Sequence, residues 1–67
     1  MHVLLIDDHA LFRFGLGELL ERRGITVDTQ GDCEAGIARV TQTRPDVVLL
    51  DLRMPQMTGL EVLKRLR

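Results

Sequence analysis

Two short apolar runs, each followed at once by aspartate, constrain the fold of this chain more than any other feature. Residues 3–6 read Val-Leu-Leu-Ile before Asp7 and Asp8, and residues 47–50 read Val-Val-Leu-Leu before Asp51. An apolar run of this length without polar alternation is typical of a strand buried on both faces, as in a parallel sheet. We therefore predict a strand at each run, with acidic residues at its carboxyl end.

The segment between the first run and Gly24 has the apolar period of a helix. Its apolar side chains recur at i, i+4, i+7 and i+8 and are Phe12, Leu16, Leu19 and Leu20. Gly24 follows the last turn, where glycine accepts the left-handed backbone that ends many helices. We predict a helix over residues 9–23 with this apolar stripe facing the core.

A strand and a second helix follow in the middle of the chain. Residues 25–29 alternate apolar and polar side chains and are rich in β-branched residues, which favours a strand at a sheet edge. Asp32 is a suitable N-cap for a helix in which Cys33, Ile37 and Val40 share one face. This helix is predicted to end before Pro45, because the residue preceding proline avoids helical backbone.

A third helix is predicted after the second apolar run. Thr58 and Glu61 have the spacing of a capping box, in which the first residue caps the helix and the second reaches back to the cap. The apolar residues expected to face the core are Leu60, Leu63 and Leu66. Strand and helix thus alternate three times, which predicts an α/β fold with a parallel sheet and right-handed crossovers.

Size and charge narrow the class of function. The 67 residues allow one domain, residues 1–67, near the lower size limit for a core that supports itself. A net charge of -1 gives no field that would attract nucleic acid or an anionic membrane. The single Cys33 excludes an internal disulfide, and no apolar run is long enough for a signal peptide or a membrane span, so we expect a cytoplasmic protein.

The aspartates at the two strand ends are the candidate site. Ligands of open parallel sheets bind beyond the carboxyl ends of the strands, and neighbouring strands lie about 5 Å apart, so Asp7, Asp8 and Asp51 are expected to share one cleft. Three carboxylates repel one another and require a cation, and an all-oxygen set favours Mg²⁺. Asp51 is then suited to accept a phosphoryl group.

Two alternative interpretations stay open for residues near this cleft. Asp7 and Asp8 could cap the first helix while Asp51 ends a strand at a turn, as acids commonly do. Because both apolar runs end in aspartate, a shared binding site is favoured over these capping and turn roles. His9 could approach the cleft as a ligand, although a histidine in a first helical turn is more often solvated.

Two motifs give the chain a family resemblance over its whole length. The first is Val-Leu-Leu-Ile-Asp-Asp-His at residues 3–9, followed by Leu11, Phe12 and Arg13, and the second is Asp-Leu-Arg-Met-Pro-Gln-Met-Thr-Gly at residues 51–59. Both resemble the receiver domain of bacterial response regulators, and the first is similar to the subfamily that carries a LuxR-type output domain. The resemblance implies a flavodoxin-like fold, here its first three βα units, with the parallel sheet in the order 2-1-3.

The resemblance also implies residue roles in two-component signal transduction. Asp51 would be the phosphoacceptor, taking its phosphoryl group from a sensor histidine kinase in a transcription-regulating system, without the chain being an enzyme. Asp8 and Asp51 would bind Mg²⁺ directly, Asp7 largely through water, and the backbone carbonyl of Arg53 would be a further ligand. Pro55 and Gly59 would shape the loop into the third helix.

A receiver domain has five βα units, and its last two strands supply a Ser or Thr and a Lys that contact the phosphoryl group. Residues 1–67 correspond to three units, so we expect a truncated receiver in which phosphorylation of Asp51 is slow or undetectable compared with a full-length receiver. The alternative function is a self-associating half-receiver, an interaction module without phospho-switching, with the strand Val47 to Leu50 at the edge of a homodimer. A flavodoxin-like cofactor binder is disfavoured because no glycine-rich phosphate loop follows the first strand.

Overall fold

The computed structural model describes residues 1–51 and 59–66. Strands and helices alternate along the chain as β1 (His2–Ile6), α1 (Ala10–Arg22), β2 (Thr26–Gln30), α2 (Cys33–Thr43), β3 (Val47–Leu50) and α3 (Gly59–Leu66). All six predicted elements are present, and the bounds predicted for β1, α1 and β2 differ from the observed ones by one residue. None of the helices in the described part of the chain is long and apolar enough to cross a membrane.

The three strands form one parallel sheet in the order β2-β1-β3. Each residue of β1 from Val3 to Ile6 has a partner on both sides; Leu5, for example, is in register with Thr29 of β2 and Leu49 of β3. The predicted α/β class and the order 2-1-3 are therefore confirmed. The prediction that β2 lies at an edge is also confirmed.

The core lies on the face of β1 that α2 and α3 cover. Leu4 and Ile6 of β1, Cys33 of α2 and Val62 of α3 are all fully buried and form one cluster. The predicted stripe of α2 is confirmed, because Ile37 and Val40 pack against this cluster beside Cys33. The cap of α2 is confirmed as well, since an Asp32 carboxylate oxygen accepts a hydrogen bond of 3.0 Å from the backbone N–H of Ala35.

The prediction that β3 is buried on both faces is wrong. Val48 and Leu50 pack against the core, but Val47 and Leu49 are each 37% exposed. Among the described residues α1 packs mainly against β2, so the face of β3 that carries Val47 and Leu49 is only partly covered.

The apolar stripe of α1 is only partly directed to the core. Leu16 and Leu20 are half-buried, whereas Phe12 and Leu19 are each 52% exposed. The residue of α1 that is buried is Gly17, above the side chains of Val27 and Thr29 of β2. Because the helix approaches β2 through this glycine, Phe12 and Leu19 lie on its flank.

Of the residues predicted to face the core from α3, Leu66 is confirmed, whereas the prediction is wrong for Leu60 and Leu63. Val62 is fully buried and Leu66, one turn later, packs against the same cluster, while Leu60 is 70% and Leu63 48% exposed. The Arg65 guanidinium donates two hydrogen bonds, of 2.8 and 3.0 Å, to the carboxylate of Glu34 on α2. This solvent-exposed ion pair joins α3 to α2 beside the buried Val62. Thr58, the predicted cap of α3, lies outside the described residues.

Candidate functional site

Three carboxylates meet where the neighbouring strands β1 and β3 end. Ile6 and Leu50, the last residues of these strands, are in register, so Asp7 and Asp51 leave the sheet side by side. The hydrogen bonding between β1 and β3 continues past the last strand residues, because the Asp51 N–H donates a hydrogen bond of 2.9 Å to the Ile6 carbonyl. One oxygen each of Asp7, Asp8 and Asp51, with one ring nitrogen of His9, all lie within 4.8 Å of one another. The structure brings the three predicted residues together, and their chemical roles stay a prediction.

Asp7 is the most buried member of this acidic cluster, which we define as Asp7, Asp8 and Asp51. It is only 7% exposed, and one carboxylate oxygen accepts hydrogen bonds from the backbone N–H of His9 at 2.8 Å and from its Nδ1 at 2.9 Å. The residue at the N-cap of α1 is His9, not an aspartate. Neither Asp7 nor Asp8 therefore occupies the capping position that the alternative interpretation requires.

The surroundings of Asp8 show whether the acidic cluster is suited to bind a cation. Its Oδ1 atom is buried and receives no hydrogen bond from any residue in the described ranges. Nδ1 of His9 lies 3.1 Å away, at ion-pair distance, without forming a hydrogen bond to it. A buried anionic oxygen that receives no hydrogen bond is unfavourable, and a bound cation would satisfy it. The acidic cluster therefore fits the Mg²⁺ that the fold implies. Arg53, whose carbonyl is the further predicted ligand, lies outside the described residues, as does Pro55.

His9 lies closer to the acidic cluster than its sequence position indicated. Its side chain is 71% exposed, yet Nδ1 is 2.9 Å from Asp7, 3.1 Å from Asp8 and 3.7 Å from Asp51. The hydrogen bond to Asp7, followed by the charges of Asp8 and Asp7, raises the pKa of His9 above its ordinary value of 6.5. His9 is thus a member of the site, not merely a solvated neighbour.

Arg13 supports the turn that carries the acids, and sequence reasoning gave it no role beyond the motif. Its Nη1 donates a hydrogen bond of 2.6 Å to the backbone carbonyl of Asp7. The guanidinium occupies the space where a side chain at Gly31 would begin. The only sequence signal was a basic residue one turn into the helix that follows an acidic pair.

An open hollow of about 630 Å³ gives access to the acids. It is lined by Asp7, Asp51, His9, Leu11 and Phe12. Carboxylates thus lie on one side and exposed apolar side chains on the other. A hollow of this size is large enough for a phosphoryl group together with part of the molecule that delivers it.

Comparison with known proteins gives the same family from sequence and from structure. The model of the family described as response regulator receiver domain matches residues 3–67. The nitrate/nitrite response regulator NarL of Escherichia coli K12 is 45% identical over 67 residues, which cover 97% of this chain and 31% of that protein. Its homologue in Haemophilus influenzae is 44% identical over 70 residues, covering all of this chain and 33% of that protein.

Solved structures agree with the sequence comparison. A receiver domain protein from Clostridium thermocellum superposes with a TM-score of 0.91 at 30% identity, covering 97% of this chain and 53% of that one. A LuxR-family response regulator from Aurantimonas superposes with a TM-score of 0.87 at 34% identity, covering 98% of this chain and 49% of that one. The chain thus spans about half of these solved chains and a third or less of the curated relatives described above. It belongs to the response regulator receiver domain family.

Proposed function

We propose that this chain is a phosphoacceptor of a two-component system and that Asp51 receives a phosphoryl group from the phosphohistidine of a sensor histidine kinase in the cytoplasm. The observation that carries the proposal is the convergence of Asp7, Asp8 and Asp51 at the carboxyl ends of β1 and β3. The chain acts as a substrate of the kinase and has no turnover of its own in this proposal. Two other relatives are named for transcription, the probable transcriptional regulatory protein TcrX of Mycobacterium tuberculosis and the transcriptional activator protein ExaE of Pseudomonas putida, so the downstream process we propose is control of transcription.

Asp51 has the position that a nucleophile needs. Its side chain is 17% exposed and lines the hollow, so an incoming phosphoryl group can reach it. A carboxylate oxygen of Asp51 forms a bond to phosphorus as the bond between phosphorus and the donor imidazole breaks. The electron pair of that broken bond returns to the imidazole of the kinase, and Asp51 becomes an acyl phosphate.

The other acids would hold the metal. Asp8 and Asp51 would bind Mg²⁺ directly, Asp7 through water, and the Arg53 carbonyl would complete the protein's share of the ligands. When bound, Mg²⁺ offsets the negative charge of the carboxylates and of the transferred group. The hydrogen bond from Arg13 to the Asp7 carbonyl fixes the turn that presents Asp7 and Asp8.

Phosphorylation with a small donor tests the proposal. We expect acetyl phosphate and Mg²⁺ to add about 80 Da, one phosphoryl group, to the intact chain, and to add nothing to Asp51→Asn. Asp46→Asn is the matched control, because Asp46 precedes β3 at the opposite end and accepts a hydrogen bond from the His2 N–H. Labelling of the Asp51→Asn variant equal to that of the wild type would contradict the proposal, and a wild-type chain that stays unlabelled would favour the half-receiver without phospho-switching instead.

A second candidate function, self-association through β3, is supported by a different observation. Within the described part of the chain β3 pairs only with β1, and its side chains Val47 and Leu49 are each 37% exposed. An apolar edge strand is a surface on which a second copy can add its own β3. Sedimentation at micromolar concentration should then give a dimer, and Leu49→Lys should give a monomer. Thr29→Lys, at the register-equivalent place on β2, is the control. A wild-type monomer refutes this candidate.

A further inference from the structure

The ring nitrogen that faces the acidic cluster is placed like a ligand. Nδ1 of His9 lies 2.9 Å from an oxygen of Asp7, 3.1 Å from one of Asp8 and 3.7 Å from one of Asp51. Two donors at right angles around one ion, each about 2.1 Å from it, are about 3.0 Å apart, and in a tetrahedral site they are about 3.4 Å apart. The separations of Nδ1 from Asp7 and Asp8 are therefore close to those around a single metal ion, whereas the Asp51 oxygen at 3.7 Å, in a donor set that spans up to 4.8 Å, would have to move inward by a side-chain adjustment.

The present hydrogen bond is compatible with this role. A carboxylate only accepts hydrogen bonds, so Nδ1 donates the proton in its contact with Asp7. A cation between these two atoms would take the place of that proton, and the ring would then carry its proton on Nε2. The neutral tautomer with the proton on Nε2 is one that metal-bound histidines commonly adopt.

The nitrogen changes which ions the site prefers. Mg²⁺ prefers oxygen ligands and keeps several waters, so it gains little from an imidazole. Zn²⁺ and other borderline ions bind imidazole well and tolerate carboxylates. Asp8 Oδ1, buried without a hydrogen bond from the described residues, is available to either kind of ion.

We propose that His9 is a metal-selectivity residue: through Nδ1 it completes a site of three carboxylates and one imidazole that binds Zn²⁺-like divalent cations, while Mg²⁺ binds to the carboxylates without it. The inference rests on the metal site of the proposed function and adds a ligand and a second class of cation to it. Occupation by such an ion places a nitrogen-bound cation beside Asp51, in the hollow that a phosphodonor must enter.

The test compares two ions on the full chain and on single variants. Zn²⁺ and Mg²⁺ are titrated separately at about pH 8, where an ordinary imidazole is neutral, with calorimetry for affinity and ¹⁵N spectra for the ring nitrogens. His9→Ala is expected to weaken Zn²⁺ binding about tenfold or more, because even an indirect partner of a metal ligand is commonly worth about 10- to 100-fold in affinity. Its affinity for Mg²⁺ should not fall, because Mg²⁺ gains little from an imidazole.

Two further observations make the result specific to Nδ1. Zn²⁺ should shift the Nδ1 resonance of His9 in the wild-type chain, and Mg²⁺ should not. His2→Ala is the matched control, since His2 begins β1 at the opposite end of the sheet, and it should bind both ions as the wild type does. His9→Asn keeps a residue suited to the cap of α1 without the imidazole, and should lose Zn²⁺ affinity like His9→Ala.

The outcomes separate this inference from the proposed function. Zn²⁺ binding that is equal in the wild type and in both His9 variants, or an Nδ1 resonance that Zn²⁺ leaves unmoved, overturns the role of His9. If Mg²⁺ binding in the same experiment still depends on Asp51, as judged with Asp51→Ala, the proposed function stands. If neither ion binds in a way that depends on Asp51, the metal site itself is refuted and both proposals fall.

Discussion

The contact between α2 and β1 gives a sharp stability prediction at Gly36. This residue is buried in α2, and a Cβ atom built on it would lie 2.6 Å from Cδ1, 2.8 Å from Cγ1 and 3.1 Å from Cγ2 of Ile6. Ile6 is fully buried in the core cluster, so its side chain has little room to withdraw. The substitution Gly36→Ala should therefore force the helix and the strand apart.

Two opposing effects set the size of the change. Overpacking a close-packed core costs about 1 to 3 kcal/mol, whereas replacing glycine by alanine inside a helix gains about 0.5 to 1 kcal/mol. The overpacking is larger here because three atoms of one buried side chain are approached at once. We expect a net loss of about 1 kcal/mol in the free energy of unfolding, which lowers the midpoint of thermal unfolding by about 4 to 8 °C in a domain of this size.

Thermal and urea unfolding followed by circular dichroism measure this change. Gly15→Ala is the matched control, since Gly15 lies inside α1 and has nothing within 4 Å of its would-be Cβ. That variant should gain about 0.5 to 1 kcal/mol from the helix preference alone. A Gly36→Ala variant as stable as Gly15→Ala would refute the reasoning, because it would mean that the approach to Ile6 imposes no constraint.

Three further predictions concern α2. Asp32→Ala should lower the free energy of unfolding by about 0.5 to 2 kcal/mol in urea denaturation, because it removes the side-chain bond to the N–H of Ala35; an unchanged midpoint would show that the cap contributes nothing. Burial raises the pKa of the Cys33 thiol, so a disulfide reagent should react with it far more slowly in the native chain than in urea, and equal rates would contradict this. Arg65 lowers the pKa of Glu34 below its ordinary 4.5, so this pair stabilises the fold above that pH and its contribution is lost as the pH falls through the lowered value. Glu34→Gln should accordingly lower the thermal midpoint slightly at neutral pH and not in acid, and a loss that persists unchanged in acid would rule out the ion pair as its cause.

The strand ends could be predicted because sequence and topology agree there. An apolar run that stops at an aspartate defines both the strand and the place where its acid emerges, so the convergence of Asp7, Asp8 and Asp51 followed from local pattern and parallel pairing alone. No tertiary detail was needed for that step.

The core-facing side of α3 could not be predicted in the same way. Apolar residues at positions 60, 62, 63 and 66 allow more than one stripe on a short helix, and the pattern alone favoured Leu60 with Leu63. The choice of Val62 depends on how α3 meets the core cluster, which contains Cys33 of α2 and Leu4 and Ile6 of β1. The direction of the His9 ring depended likewise on the turn after β1, which local spacing does not define.

The pairing of the strands affects the local stability of the acidic cluster. Asp7 and Asp8 follow a strand held by neighbours on both sides, whereas Asp51 follows β3, which in the described sheet is held on one side. Local opening of β3 would therefore break the hydrogen bond from the Asp51 N–H to the Ile6 carbonyl, while β1 and β2 remained paired. In hydrogen exchange the amide of Asp51 should lose protection before those of Leu4 and Leu5. Asp51, which follows the less protected strand, can therefore separate from Asp7 and Asp8 without the domain unfolding.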